Sequence, residues 1–148
     1  MKLVLQRVKN ASVTIDEELY SKIDKGFLIL LGVEKGDLQE NAQWLAEKVL
    51  KLRVFEDENN KMNRSIMDID GEILVVSQFT LAGNCKKGTR PSFDNAEMPE
   101  KAKKLYEDFC AILAQSLSVK TGVFGAMMDV SLVNDGPVTF ILEKRSVD

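Results

Sequence analysis

Phe27-Leu28-Ile29-Leu30-Leu31-Gly32-Val33 is the longest apolar run in the chain, and its reading decides the fold. A membrane-spanning helix needs about 20 such residues, so this run is far too short to cross a bilayer. An amphipathic helix would interrupt it with polar residues every three or four positions, and a half-exposed strand would do so at every second one. This run does neither. It is predicted to be a central strand buried on both faces, which requires a sheet covered on both sides.

Beyond the run the apolar residues become periodic. Leu38, Ala42, Leu45, Val49 and Leu52 are spaced for one face of a helix lying against that sheet. Asp37 is predicted to cap its first turn, with Glu40 in the place of a capping-box partner. Before the run, residues 3–8, 12–15 and 19–23 read as strands, the last two separated by Asp16-Glu17-Glu18. Residues 53–55 return to strand and residues 56–61 form a polar turn. That turn resembles a calcium loop in composition, yet it lacks the glycine at the sixth position and the glutamate at the twelfth, so a solvated hairpin tip is predicted.

Residues 72–81 read as a strand that becomes polar at Ser77-Gln78-Phe79-Thr80, and residues 82–99 as a long connection. Pro99 suits the first turn of a second helix, with Ala102, Leu105, Phe109, Ile112 and Ser116 or Leu117 as its apolar stripe. Strands are expected at 119–123, 127–133 and 138–142. In the second of these Met128, Val130 and Leu132 share one face and Asp129 and Ser131 the other. The order predicts an α/β fold: one mixed-sheet domain over residues 1–148 with two main helices.

Composition narrows the chemistry. The 148 residues hold 20 Lys+Arg, 23 Asp+Glu and no histidine, for a net charge of −3. Without histidine there is no Ser-His-Asp or Cys-His catalysis, no His-ligated zinc and no histidine base. Cys85 and Cys110 lack CxxC spacing and fit two free thiols in a reducing compartment, with Cys110 a core thiol on the second helix. No metal or cofactor is predicted. The start, MKLVLQRVKN, is broken by Lys2, Arg7 and Lys9 and has no signal-peptide core, so a cytoplasmic protein outside the membrane is expected.

Three segments could carry chemistry. Residues 83–89 have the glycine spacing of a phosphate loop, but Thr89 and Arg90 stand where Lys and Ser or Thr belong, and Pro91 obstructs the helix that should come next. A basic loop with Lys86, Lys87 and Arg90 remains, suited to phosphates or merely solvated. Ser77-Gln78-Phe79-Thr80 gathers two hydroxyls, an amide and a ring at a strand end, with no histidine to activate either hydroxyl. Asn134-Asp135-Gly136-Pro137 joins two predicted strands. Its Asp-Gly pair would signal a tight turn, and its Gly-Pro pair permits an unusual backbone, a cis bond included.

Ser77-Gln78-Phe79-Thr80-Leu81 and Asn134-Asp135-Gly136-Pro137-Val138-Thr139 stand in one order with three further segments: Leu5-Gln6-Arg7-Val8, Lys87-Gly88-Thr89-Arg90-Pro91-Ser92-Phe93 and Thr121-Gly122-Val123-Phe124-Gly125-Ala126. In these segments and their order, the chain resembles the D-aminoacyl-tRNA deacylases over nearly its whole length. The resemblance implies a barrel-like homodimer that hydrolyses the ester joining a D-amino acid to the terminal adenosine of tRNA, with mischarged glycyl-tRNA as a further candidate substrate. It implies catalysis at Ser77, Gln78, Phe79 and Thr80, through the backbone amides of Phe79 and Thr80 and the RNA 2′-hydroxyl, with Thr80 as covalent nucleophile the competing scheme. It implies substrate binding by Gly136, Pro137, Arg7, Met128 and Asn134, the Gly136-Pro137 element entering the partner subunit's site and Arg7 bracing it. Lys86, Lys87 and Arg90 would meet the tRNA. The alternative from another class is a silent module that binds tRNA ends or another small ligand on the same fold.

Overall fold

The computed structural model describes residues 1–146. Its strands are β1 (Lys2–Ile15), β2 (Glu18–Ile23), β3 (Gly26–Gly32), β4 (Phe55–Glu56), β5 (Met62–Arg64), β6 (Glu72–Ser77), β7 (Val119–Thr121) and β8 (Asp129–Glu143). The helices are α1 (Gln39–Lys51) and α2 (Pro99–Ala114), and a 3-10 turn spans Phe79–Ala82.

The double-sided apolar run is β3, in the middle of a six-stranded mixed sheet. It pairs antiparallel with β1 and parallel with β6, and β6 pairs parallel with β7. Parallel neighbours need a crossover, and each of the two contains one of the helices. Alternation along β3 then explains its composition. Phe27, Ile29 and Leu31 join the core that includes Leu45 and Val49 of α1 and Leu105 and Phe109 of α2. Leu28 points the other way, into a second cluster with Val8, Val13, Leu74 and Val76, closed by Met128 and by Val130 and Leu132 of β8. Full burial of a ring such as Phe27 or Phe109 contributes about 1.5–3 kcal/mol. The sheet also curls on itself. Ser21 Oγ of β2 donates to the Thr121 carbonyl of β7 at 2.9 Å, and Lys120 Nζ donates to the Lys22 carbonyl at 2.9 Å, which brings the two outer strands together in the barrel-like manner expected.

Four local expectations are corrected. Residues 3–8 and 12–15 belong to one strand, β1, long enough to pair with β3 along its first half and β2 along its second. Asp37 does not cap α1: its carboxylate is buried, accepting from the Met1 ammonium at 2.6 Å and from the Glu34 N–H at 2.7 Å. The cap is Leu38, and Asn41 rather than Glu40 reaches back to it, its Oδ1 accepting the Leu38 N–H at 2.7 Å. β6 stops at Ser77, not Leu81, because its last partner is Leu31 and β3 ends one residue later. Finally, residues 127–133 and 138–142 are not two strands joined by a turn; β8 runs through both.

The polar turn after Phe55 is a hairpin tip as predicted, closed by Asp57. Its carboxylate accepts the N–H groups of Lys61 at 3.1 Å and Asn59 at 2.8 Å, which hold it below its ordinary range. Among the described residues no helix is long and apolar enough to cross a membrane.

Candidate active site

Where β6 ends, a cleft of about 520 Å³ opens. Val76, Ser77, Gln78 and Phe79 form one wall, Glu97, Pro99 and Ala102 another, and the segment from Phe124 to Met128 with Val130 the third. The Gln78 N–H still belongs to the ladder, donating to the Leu31 carbonyl at 2.8 Å. The chain then turns, and Phe79 and Thr80 open the 3-10 turn, where the first N–H groups have no acceptor within the turn itself. Gln78 Nε2 donates to Thr80 Oγ1, so the threonine oxygen is used as an acceptor. Ser77 and Gln78 are half-buried, whereas Phe79 and Thr80 are exposed.

Met128 reaches this cleft because Gly122 makes room for it. A Cβ at Gly122 would stand 2.5 Å from Met128 Sδ, so any other residue would displace the thioether. Behind Phe124, at 5.9 Å between ring centres, lies Tyr106 of α2, whose hydroxyl donates to the Val75 carbonyl at 2.9 Å. Burial pushes the Tyr106 hydroxyl well above its ordinary range and the Cys110 thiol up to about 12. Both keep their protons at neutral pH, which makes Cys110 the inert core thiol expected. Glu97 is held below the usual carboxylate range, first by the Met98 N–H and also by Lys101, and presents a negative charge at the cleft wall. The sequence reading missed Glu97, Pro99 and Ala102 as site residues, since each is brought in by the crossover rather than by a local motif.

Gly136 and Pro137 do not line this cleft. Thr139 pairs with Gln6 and Asn134 with Val8, so residues 135–138 stand opposite Arg7 alone and form a bulge in which Gly136 and Pro137 are exposed and Val138 is buried. The Gly136-Pro137 peptide is cis. Gly136 has φ +139, a conformation essentially reserved for glycine. Arg7 lies buried beneath, donating through Nε to the Asp135 carbonyl at 2.9 Å and through Nη1 to the Val54 carbonyl at 2.6 Å. Its charge is met by Asp135 at 3.8 Å and Glu56 at 4.0 Å. Asn134 ties the bulge from the other side: its Oδ1 accepts the Val138 N–H at 2.7 Å, and its Nδ2 donates to Thr139 Oγ1 at 3.0 Å.

Lys86, Lys87 and Arg90 occupy the exposed tip of a small hairpin, fastened by mutual backbone bonds of 2.7 and 2.9 Å between Asn84 and Ser92. No helix directly succeeds it, which disposes of the phosphate-loop reading; α2 begins only at Pro99. The hairpin meets the cleft through Phe93, whose ring packs against that of Phe79.

Comparison with known proteins gives the family. The family model described as D-Tyr-tRNA(Tyr) deacylase matches residues 4–143. A D-aminoacyl-tRNA deacylase of Pelobacter propionicus is 57% identical over 145 residues, covering 97% of this chain and 100% of that protein. A solved structure named c-Myc DNA Unwinding Element Binding Protein superposes with a TM-score of 0.93 at 44% identity, over 99% of this chain and 100% of the other. A structure described as a probable eukaryotic D-amino acid tRNA deacylase shares the fold, with a TM-score of 0.84 at 16% identity over 95% of this chain and 97% of the other. With one relative matched end to end and the motif segments spread along the full match, the chain belongs to the D-Tyr-tRNA(Tyr) deacylase family.

Proposed function

We infer that this protein hydrolyses the ester between a D-amino acid and the terminal adenosine of tRNA, releasing both, and leaves L-aminoacyl-tRNA intact. The observation that carries this reading is a separation within one chain. Phe79 lines the cleft at the start of a 3-10 turn, whose first N–H groups have no acceptor within the turn. The bulge braced by Arg7 does not line that cleft, which leaves it available to the cleft of a second copy.

In this scheme the N–H groups of Phe79 and Thr80 receive the carbonyl oxygen and stabilise the charge that develops on it as water attacks. Ser77 and Gln78 fix where that turn begins. An ester expels an alkoxide far more readily than an amide expels nitrogen, so a histidine base is dispensable, and the RNA 2′-hydroxyl directs the water. In this scheme the Thr80 hydroxyl is not the nucleophile: its oxygen accepts a hydrogen bond from Gln78 Nε2, and the chain has no histidine to serve as its base. No metal or cofactor enters the scheme.

Met128 offers the substrate a polarisable wall. Gly136 and Pro137 of one subunit enter the other's site, where their carbonyls take the substrate ammonium and leave no room for an L side chain. Arg7 and Asn134 hold that element in place. Beside the bulge Val133, Phe140 and Ile141 of β8 leave apolar side chains in water, a surface that a homodimer would cover. Lys86, Lys87 and Arg90 meet the tRNA backbone, and two free thiols suit work in the cytoplasm. The test is incubation with D-tyrosyl- and L-tyrosyl-tRNA and then acid precipitation. Loss of the D ester alone is expected; equal loss of both, or of neither, overturns the reading.

A further inference from the structure

We propose that Phe93, together with Phe79, is a stacking platform for the single-stranded nucleotides that precede the terminal adenosine of the tRNA. This rests on the deacylase reading and extends it beyond the nucleotide that carries the ester. The two rings lie 5.3 Å apart at 60°, an edge-to-face pair, and remain 58% and 41% exposed for Phe79 and Phe93. An edge-to-face pair leaves the face of one ring open to a third aromatic group.

The pair is held, not dangling. Phe93 directly succeeds Ser92, whose backbone is locked to Asn84, and its own carbonyl accepts the Ala96 N–H at 3.0 Å. Its position is also continuous with the site, since Phe79 lines the cleft on one side and touches Phe93 on the other. A strand leaving the cleft past Phe79 therefore meets Phe93 next.

Charge selects the occupant. The tip of the same hairpin, residues 86–90, carries Lys86, Lys87 and Arg90 and no acidic residue. Exposed rings at the base of a hairpin whose tip is basic are what a single strand of nucleic acid recognises, its bases stacking and its phosphates pairing with the cations, Asp94 beside Phe93 notwithstanding. Stacking is tolerant of base identity, so the platform would serve every tRNA alike.

The test uses the full-length protein and an RNA minihelix whose unpaired 3′ end carries 2-aminopurine at the penultimate position and a non-hydrolysable D-aminoacyl amide. Binding to the wild-type protein is expected to quench the fluorescence, Phe93→Leu to abolish the quench, and Phe93→Trp to preserve it. In parallel, Phe93→Leu is expected to raise KM for a D-aminoacyl minihelix about tenfold with kcat unchanged, and Phe93→Trp to restore it. Hydrolysis of D-aminoacyl-adenosine, which lacks the preceding nucleotides, should not change in either variant. An unquenched wild-type complex, or a minihelix KM indifferent to Phe93→Leu, overturns the platform. So does a Phe93→Leu protein whose sedimentation shows a weakened dimer while the quench persists, since the rings would then be covered by a second copy. Failure of the wild-type protein to hydrolyse D-aminoacyl-adenosine would strike the deacylase reading instead, and the fluorescence, which needs no turnover, would still decide the platform.

Discussion

Gly136→Ala asks whether the bulge on β8 is a fixed device or a slack loop. At φ +139 an L side chain is strained by about 1–3 kcal/mol whatever the space around it. Space is also short. The new Cβ would stand 2.7 Å from Val138 Cγ2, 3.1 Å from Val138 N and 3.2 Å from Arg7 Nη2. Val138 is buried, and its N–H is held by Asn134 at 2.7 Å, so yielding there puts at risk a hydrogen bond worth about 0.5–1.5 kcal/mol net. The expected cost is therefore about 2–4 kcal/mol, out of a total stability of about 5–15 kcal/mol for a domain.

The protein should still fold, with Tm lowered by roughly 4–16 °C. Gly88→Ala is the matching control: φ is +63 and no atom lies within 4 Å, so only the backbone term of about 1–2 kcal/mol remains. Urea denaturation monitored by circular dichroism, at one fixed protein concentration, reads the stability of both variants. Rates on D- and L-tyrosyl-tRNA read the site. Gly136→Ala should be the less stable of the two and should lose D-ester hydrolysis or enantiomer selectivity, whereas Gly88→Ala should keep both. A Gly136→Ala protein within about 0.5 kcal/mol of wild type and with an unchanged D-to-L ratio would refute the claim that the bulge geometry is demanded.

Arg7→Lys should cost about 1.5–3 kcal/mol and erode selectivity, because one ammonium cannot reproduce a fork that serves both the Asp135 and Val54 carbonyls; urea melts paired with the two-enantiomer assay check this. Thr80→Ala keeps its backbone N–H and should keep substantial activity, while a substrate ending in 2′-deoxyadenosine should react slower by orders of magnitude. A dead, folded, tRNA-binding Thr80→Ala enzyme with full activity on the deoxy substrate would return the chemistry to the hydroxyl. Replacing Lys86, Lys87 and Arg90 together by alanine should raise KM and flatten its log–log dependence on salt by about 2, and an unmoved KM would remove the hairpin tip from the interface. Cys110 keeps its thiol proton up to about 12 in the folded state against an ordinary value of 9.0, so the folded chain binds the extra proton between those values. Its contribution to stability should be complete below pH 9 and decline as pH rises above it, in melts that Cys110→Ala renders less steep on the alkaline side.

What was legible in the sequence is what a single local property determines. β3 is set by apolarity on both faces, the start of α2 by Pro99 at a position that needs no N–H, and the tip after Phe55 by its run of polar turn formers. Apart from the capping partner Asn41, three residues from Leu38, the misreadings come from partners far away in sequence. Asp37 looks like a cap until the Met1 ammonium claims its carboxylate. The stretch Gln78 to Leu81 is rich in strand formers, yet β3 runs out of ladder opposite it. Asn134-Asp135-Gly136-Pro137 carries every signal of a turn, and it is long-range pairing with β1 on both sides of Arg7 that makes it a bulge in one continuous strand. The cleft has the same character. Ser77 to Phe79 could be suspected from residue type, but Glu97, Pro99 and Ala102 reach the cleft only because α2 lies in the crossover to β7.

On the proposed reading, in which the bulge carbonyls reject one enantiomer, the location of Arg7 would link stability to selectivity. It sits within β1, the strand that pairs with β2, β3 and β8, and its guanidinium ties the bulge of β8 to the Val54 carbonyl before β4. Carbonyls that reject one enantiomer by contact must be held to a fraction of an ångström, and only a residue anchored in the core can hold them so. Substitutions at Arg7, Asn134 and Gly136 should therefore lower stability and chiral discrimination together. The Asn84–Ser92 bridge closes the basic hairpin on itself and its tip is exposed, so substitutions of Lys86, Lys87 and Arg90 should change KM and leave the melting curve where it was. A bulge variant that loses selectivity at full stability would break that link, and would mean the carbonyls are positioned from the partner's side of the interface rather than from Arg7.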